Sequence, residues 1–175
     1  MIGKRFVIVG ATGTGKTTLA QQLAAKLHVR HIELDALHWE PGWQEAPTDV
    51  FIARLQDALS GEAWIVDGNY SKARHIVWTR ADTLIWLDYP LRLSLWRLFR
   101  RSLWRVFSRA ELWNGNRETF RGQFLSWNSL FVWAWRFHKV RRLEYPMLFK
   151  QPEYAHLKVI RLQSPKETEN WLRSI

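Results

Sequence analysis

Eight residues near the start of the chain, GATGTGKT from Gly10 to Thr17, satisfy the spacing G-x-x-x-x-G-K-[ST]. Gly13 and Gly15 allow backbone turns closed to other residues, so that successive N–H groups converge on one point. A helix opening at Lys16 adds the positive end of its dipole there. Such a cradle takes phosphate oxygens along Gly10, Ala11, Thr12, Gly13, Thr14, Gly15 and Thr18. The Lys16 ammonium reaches the outer phosphates of a nucleoside triphosphate, and the Thr17 hydroxyl ligates a divalent cation. ATP and Mg²⁺ are the cofactors this pattern predicts.

A cation on Thr17 also needs a carboxylate on a neighbouring strand to orient its water shell. Two aspartates end apolar runs, Asp67 in WIVDG and Asp88 in LIWLDYP. Asp67 is the expected metal residue because Gly68 beside it permits close approach to a ligand, and Asp88 is the alternative. Asp35, in LDALH, is the candidate catalytic group that takes or positions the proton of an attacking hydroxyl, and His38 is a candidate donor to the same acceptor. Their structural alternatives are a helix cap for Asp35 and a buried partner of Trp39 for His38. Trp39 and Trp43 flank a Pro41-Gly42 turn and make either an aromatic wall for a flat acceptor or a hydrophobic plug.

Arg97, Arg101, Arg105 and Arg109 recur every four residues in LRLSLWRLFRRSLWRVFSR, one slowly drifting stripe on a helix. Like charges at that spacing repel, so an anion is expected to neutralise them. Leu95, Trp96, Phe99, Leu103, Val106 and Phe107 form an apolar stripe expected to pack on the body of the protein. Arg109, Arg117 and Arg121 are candidates to close from the far side of such a lid, with Asn114, Gly115 and Asn116 as its turn or hinge. Further on, Trp127, Trp133 and Trp135 precede Lys139, Arg141 and Arg142, cations that suit either the late turns of a helix or the stacking of unpaired bases.

These groups need a scaffold, and short apolar runs alternating with helical periods supply one. Strands are predicted over Phe6–Val9, His31–Leu34, Trp64–Asp67, Leu84–Asp88 and Leu157–Leu162. Helices are predicted over Lys16–Leu27, Thr48–Ser60, Ser71–Thr79, Leu91–Phe107, Arg117–Arg142 and Pro165–Arg173. The alternation implies an α/β domain with a mostly parallel sheet, a single unit over 1–175 with a long helical insertion between its last two strands.

The order of these parts resembles the nucleoside monophosphate kinase branch of P-loop proteins. The stretches LDALHWEPGW, VDGNY, NRE and VIRLQSPKETENWL resemble adenylate kinase-related proteins often labelled DNA topology modulation proteins. The resemblance implies a P-loop NTPase three-layer fold, with a five-stranded parallel sheet in the order 2-3-1-4-5 flanked by helices, an acceptor segment at about 35–60 and an arginine-rich lid with the long helical insertion at about 91–145. It implies that Arg97 stacks on adenine, that Arg101 contacts the transferring phosphoryl group, and that the Gln163–Lys166 loop binds adenine through its backbone. The two arginines by which adenylate kinases hold AMP phosphate fall on His38 and Ser71, so AMP loses both matched anchors. Lys72, Arg74 or a lid arginine are the possible substitutes. DALH is itself similar to the acceptor segment of gluconate kinases, which phosphorylate a hydroxyl.

A kinase transferring phosphate to a small acceptor is therefore expected, a nucleotide or nucleoside first and a hydroxylated metabolite next. The net charge of +10 keeps an ATP-binding, nucleic-acid-associated regulator as the rival, with a membrane-surface role third. The chain has no cysteine, which excludes disulfides, thiolate metal sites and a cysteine nucleophile and suits the cytoplasm. No apolar run approaches the roughly 20 residues of a membrane span.

Overall fold

The computed structural model describes residues 3–108, 111–117 and 130–175, with side chains of the last stretch from His138 onward. Arg109, Arg121 and Trp127 lie outside the described residues, as do the side chains of Trp133 and Trp135. Strand β1 (Arg5–Gly10) runs into α1 (Lys16–Leu27), then β2 (Arg30–Glu33) and the short α2 (Leu34–His38). A ribbon of β3 (Trp39–Glu40) and β4 (Gln44–Glu45) leads to α3 (Thr48–Ala58), β5 (Trp64–Asp67), α4 (Ser71–Arg80), β6 (Thr83–Leu87) and α5 (Leu91–Ser108). A 3₁₀ turn (Trp113–Gly115), α6 (Leu130–Leu148), a second 3₁₀ turn (Pro152–Tyr154), β7 (Lys158–Leu162) and α7 (Pro165–Ser174) follow.

The main sheet has the order β2-β5-β1-β6-β7 with every pair parallel. Counted among themselves, its strands stand 2-3-1-4-5, the order expected. Parallel strands covered on both faces need apolar residues on both, and β1 shows this directly. Phe6 and Ile8 join one core with Leu19, Leu23, Ile65 and Ile85, while Val7 and Val9 join the other with Phe51, Leu55, Trp64 and Trp86. With β1 central, the loop after it emerges at the middle of the sheet's carboxyl edge, where ligands of such sheets bind.

Three expectations need correction. The strand expected to include Leu34 stops at Glu33, because Leu34 turns into α2 and packs beneath Gly68. Gly68 (φ 139°) is thus required by protein packing, since a Cβ there would lie 2.7 Å from Leu34 Cβ. The expected helix over Arg117–Arg142 is replaced, in its described part, by α6 at Leu130–Leu148, and Arg117 forms an isolated bridge with Glu111. Pro146 falls in the last turn of α6, where its missing N–H leaves the carbonyl of Arg142 without the usual helix hydrogen bond. Arg141 and Arg142 are therefore mid-helix residues.

The third correction concerns α5, which buries Ser94, Leu98 and Ser102 and leaves Trp96, Phe99, Trp104 and Phe107 exposed. The apolar stripe does not pack wholly on the body as expected. Its neighbour is the backbone after β1, and only small side chains flanking Leu98 let two backbones come that close. A Cβ on Gly13 would run into the Ser94 carbonyl oxygen. This rotation turns the arginine stripe inward, with Arg97, Arg101 and Arg105 each partly buried.

Gly68→Ala is expected to lower the unfolding free energy by about 1–3 kcal/mol through overpacking against Leu34 and a strained φ. Urea unfolding followed by circular dichroism measures it.

Candidate active site

The loop joining β1 to α1 has positive φ at Gly10, Gly13 and Gly15, the last being the N-cap of α1 at φ 92°. It is held from two sides. Asn69, after β5, accepts from Gly10 N at 3.3 Å and donates to Gly10 O, and Arg141 Nη1 donates to the same oxygen at 3.3 Å. Tyr145 OH donates to Asn69 Oδ1 at 3.2 Å, so α6 braces the amide that braces the loop. Thr14 Oγ1 turns back to Ala11 O at 2.8 Å, whereas Thr18 is exposed on α1.

Lys16 Nζ folds over the loop and donates to Ala11 O at 3.1 Å. Burial pushes its ammonium down to about 8, and Arg141 and Arg101 add to this, opposed by the carboxylates of Asp67 and Asp35. Arg97 Nη1 donates to Thr14 O at 3.4 Å, and its guanidinium lies 5.6 Å from the Tyr89 ring centroid. Lys16, Arg97, Arg101 and Arg141 thus gather on one loop from three helices. Such a concentration of cations is the electrostatic complement of a polyphosphate.

Asp67, buried at the end of β5, uses both oxygens: Thr17 Oγ1 donates to Oδ2 at 2.6 Å, and His31 Nε2 lies 2.8 Å from Oδ1. A hydroxyl beside a carboxylate is the donor set of a hard divalent cation that keeps most of its other ligands from water and phosphate. Among the described residues no group of three or more His, Asp or Glu side chains forms an all-protein metal cage. Asp88 has another role: Arg142 Nε reaches Oδ1 at 2.5 Å and Arg161 Nε reaches Oδ2 at 2.9 Å. These ion pairs tie α6 and β7 to the end of β6.

Asp35 lies in α2 and accepts from Tyr70 OH at 2.6 Å through Oδ1. Burial raises the Tyr70 hydroxyl far above its ordinary value, and the Asp35 charge raises it further, so Tyr70 stays a neutral donor. His38 is buried among the rings of Trp39, Phe51 and Tyr70, with Nε2 3.6 Å from Glu45. Burial lowers its basicity, which Glu45 partly opposes. Ser71 is exposed at the first position of α4. Of the suggested substitutes, Arg74 is paired with Glu144 at 2.8 Å and Lys72 donates to Thr48 Oγ1 at 3.2 Å.

Trp39 and Trp43 meet edge to face with ring centroids 5.6 Å apart, and Trp113 meets Trp43 in the same way at 6.5 Å. Asn114, Gly115 and Asn116 form the expected turn, bound to the backbone of Trp39 and Glu40, while the Arg117 guanidinium is 3.5 Å from Glu111. In the Gln163–Lys166 loop, Ser164 caps α7 by accepting from Glu167 N at 3.2 Å, and Glu167 reaches back to Gln163 N at 2.7 Å. Sequence reasoning missed His31, Asn69 and Tyr70, and it assigned Arg141 to the helix dipole. For Asn69 and Tyr70 the only signal was their place directly after Asp-Gly.

A glycine-rich loop after the central strand, a Thr–Asp pair beside it and a 2-3-1-4-5 parallel sheet make up the three-layer α/β fold of P-loop kinases. The family model described as ATPase family associated with various cellular activities (AAA) matches residues 6–66. In structure, the chain is similar to shikimate kinase from Bacteroides thetaiotaomicron, with a TM-score of 0.55 and 16% identity over 99% of this chain and 96% of that one. Shikimate kinase from Acinetobacter baumannii in complex with shikimate is similar at a TM-score of 0.55 and 14% identity, covering 98% and 89%. A gluconokinase from Sinorhizobium meliloti 1021 follows at 0.53 and 16%, covering 97% and 91%. No curated protein matches the sequence. Among the described residues no helix is long and apolar enough to cross a membrane.

Two outcomes follow from this geometry. Asp88→Asn is expected to lower stability by about 2 kcal/mol with nucleotide affinity nearly unchanged, whereas Asp67→Asn weakens Mg²⁺-dependent nucleotide binding at least about ten-fold; calorimetry with and without Mg²⁺ separates them. Because the Lys16 pKa is lowered from 10.5 to about 8, charging it opposes folding, and stability gains from its deprotonation as pH rises between those values. A polyphosphate reverses that preference, so ATP binding above pH 8 is expected to take up a proton and to weaken with rising pH. Titration calorimetry in buffers of different ionisation enthalpy reads the uptake, which Lys16→Ala removes.

Proposed function

We propose that this chain is an ATP-dependent phosphotransferase that passes the γ-phosphoryl group to a hydroxyl of a small acceptor carrying no phosphate of its own, such as a hydroxy acid, a polyol or a nucleoside. The observation that carries the reading is Asp35, held by Tyr70 and close enough to Lys16 to act on its charge, at the edge of the four-cation loop. Lys16 and the loop amides bind the triphosphate, and Thr17 with Asp67 would hold Mg²⁺, which supplies neutralisation of phosphate charge. The acceptor oxygen attacks the γ-phosphorus, the bond from that phosphorus to the β–γ bridging oxygen breaks, and ADP leaves. Asp35 takes the acceptor's proton at Oδ2, its Oδ1 being engaged by Tyr70. Arg97 and Arg101 stabilise charge on the transferring group.

The acceptor class follows from the cations around Asp35. His38 is enclosed by aromatic rings, Arg54 is committed to Glu40 at 2.7 Å, and Arg74 to Glu144. An acceptor phosphate would have to compete with those carboxylates, whereas a hydroxyl needs only Asp35. This moves nucleotides behind the hydroxylated metabolites that the sequence ranked second. The similarity to shikimate kinases and a gluconokinase supports the same choice.

A second reading, nucleic-acid association, is supported by the exposed Trp96, Phe99, Trp104 and Phe107 on α5, interleaved with exposed Arg92 and Arg100. A Mg²⁺-ATP screen over hydroxy acids, polyols, nucleosides and nucleotides tests both. Transfer is expected to a phosphate-free hydroxyl acceptor, falling about 10³-fold in Arg101→Ala and about 10²–10⁴-fold in Asp35→Asn with ATP affinity changing far less. No transfer to any acceptor, together with tight, salt-sensitive duplex binding, would reject the kinase reading.

A further inference from the structure

Strand β2 lies at one edge of the sheet, and its alternate residues His31 and Glu33 face the same side. In the ladder with β5, His31 stands opposite Ile65 and Glu33 opposite Asp67. His31 reaches across to Asp67, with Nε2 2.8 Å from Oδ1 and only 15% of its side chain exposed against 5% for Asp67. An ionised carboxylate only accepts, so the imidazole nitrogen donates. Thr17 Oγ1, on α1, donates to Oδ2 at 2.6 Å. Each oxygen of Asp67 therefore has one protein donor, and the two together fix how the carboxylate is turned.

The bond from His31 is not needed to hold its strand. β2 is already joined to β5 through four register pairs and leads straight into α2, where Leu34 packs beneath Gly68. Asp88 offers the contrast, since its partner Arg142 comes from α6, a helix that no strand ladder places. His31 ties Asp67 to a strand that the backbone has already positioned, so the effect of the bond falls on the carboxylate itself.

Charge alone does not direct Asp67 at Thr17. Lys16 is close enough for the Asp67 charge to favour its charged form. Glu33, opposite Asp67 in the ladder, repels it: burial raises the Glu33 carboxyl above its ordinary value and the Asp67 charge raises it further, with Trp113 Nε1 donating to Oε2 at 2.8 Å in partial compensation. Two hydrogen-bond donors, one on each oxygen, supply the direction that these charges do not. The Thr17 hydroxyl has one proton and two lone pairs, and with the proton committed to Oδ2 only lone pairs remain to offer a divalent cation.

We propose that His31 is a positioning residue for the divalent cation of the nucleotide site: by holding Oδ1 of Asp67 it keeps Oδ2 on the Thr17 hydroxyl and so sets how tightly Mg²⁺ is bound with the nucleotide. This role rests on the nucleotide reading above. Partners of this kind, one bond removed from a metal's own ligands, are worth about 10–100-fold in metal affinity. A side chain that only filled space at the strand edge would change nucleotide binding equally with and without the metal.

Calorimetric titration of the non-hydrolysable imido analogue of ATP, over a series of Mg²⁺ concentrations and in EDTA, tests this without an acceptor. His31→Leu keeps bulk on the strand and removes the donor. The Mg²⁺ concentration giving half of the metal-dependent tightening is expected to rise about ten-fold or more in that variant, with affinity in EDTA within about two-fold of wild type. His31→Gln, which keeps a donor at similar reach, should bring the midpoint back to within about three-fold of wild type. In an Asp67→Asn background His31→Leu should shift the midpoint by less than about two-fold, because that carboxylate is its only route. In the wild-type chain the His31 imidazole nitrogen resonance should move when Mg²⁺ is added to the analogue complex, a reading that stands even where a variant fails to fold. An unmoved midpoint in His31→Leu, equal losses with and without Mg²⁺, no recovery in His31→Gln, additive losses with Asp67→Asn, or an unmoved imidazole resonance overturns the role of His31 while leaving the nucleotide reading intact. No binding of the analogue in either condition overturns both.

Discussion

Positive charge packed onto a loop with hardly any side chains is the constraint that the rest of this structure answers to. Strand β1 ends in a turn whose glycines face the β6 backbone on one side and the first turn of α5 on another. Within the turn Thr14 Oγ1 donates to Ala11 O at 2.8 Å, and further support comes from distant parts of the chain. Asn69 fixes it through both of its amide atoms, Arg141 adds a third bond to Gly10 O, and Tyr145 steadies Asn69. Elements far apart in sequence are thus spent on holding one peptide unit.

Electrostatics is the cost of that arrangement. Burial makes Lys16 hard to keep charged, Arg141 and Arg101 add to this, and the carboxylates of Asp67 and Asp35 favour its charged form. Those carboxylates are in turn contacted by a threonine, a histidine and a tyrosine. Asp88, by contrast, is spent on Arg142 and Arg161 and ties α6 and β7 to the sheet edge. Two aspartates at the ends of β5 and β6, the strands on either side of β1, therefore meet different partners, a threonine and a histidine in one case and two arginines in the other.

The α5 helix shows the same priority. Ordinary amphipathic packing would bury its apolar stripe, but close approach to the phosphate loop demands small residues, and the serines flanking Leu98 meet that demand. The helix accordingly turns its partly buried arginines toward the loop and leaves four large aromatics in water. Hydrophobic area left exposed is tolerated where it places charge opposite a polyphosphate.

The strands and the helix at Lys16 were legible in the sequence because each rests on local spacing, while the strand order was legible through the resemblance to P-loop kinases and the aspartate beside Thr17 through its place at the end of an apolar run. Alternating apolar runs set a parallel sheet, and a glycine-rich turn between strand and helix sets a phosphate cradle wherever it occurs. His31, Asn69, Tyr70, Arg141 and the contacts of Asn116 were not legible, since their partners lie 35 to 131 positions away and no periodicity connects them. Rotation of α5 was likewise beyond a pattern that measures how apolar a face is but not what backbone it must approach. Local spacing determined the loop and the sheet that carries it; only tertiary packing, through backbone proximity and long-range hydrogen bonds, decided which side chains surround that loop and which carboxylate is free to work beside it.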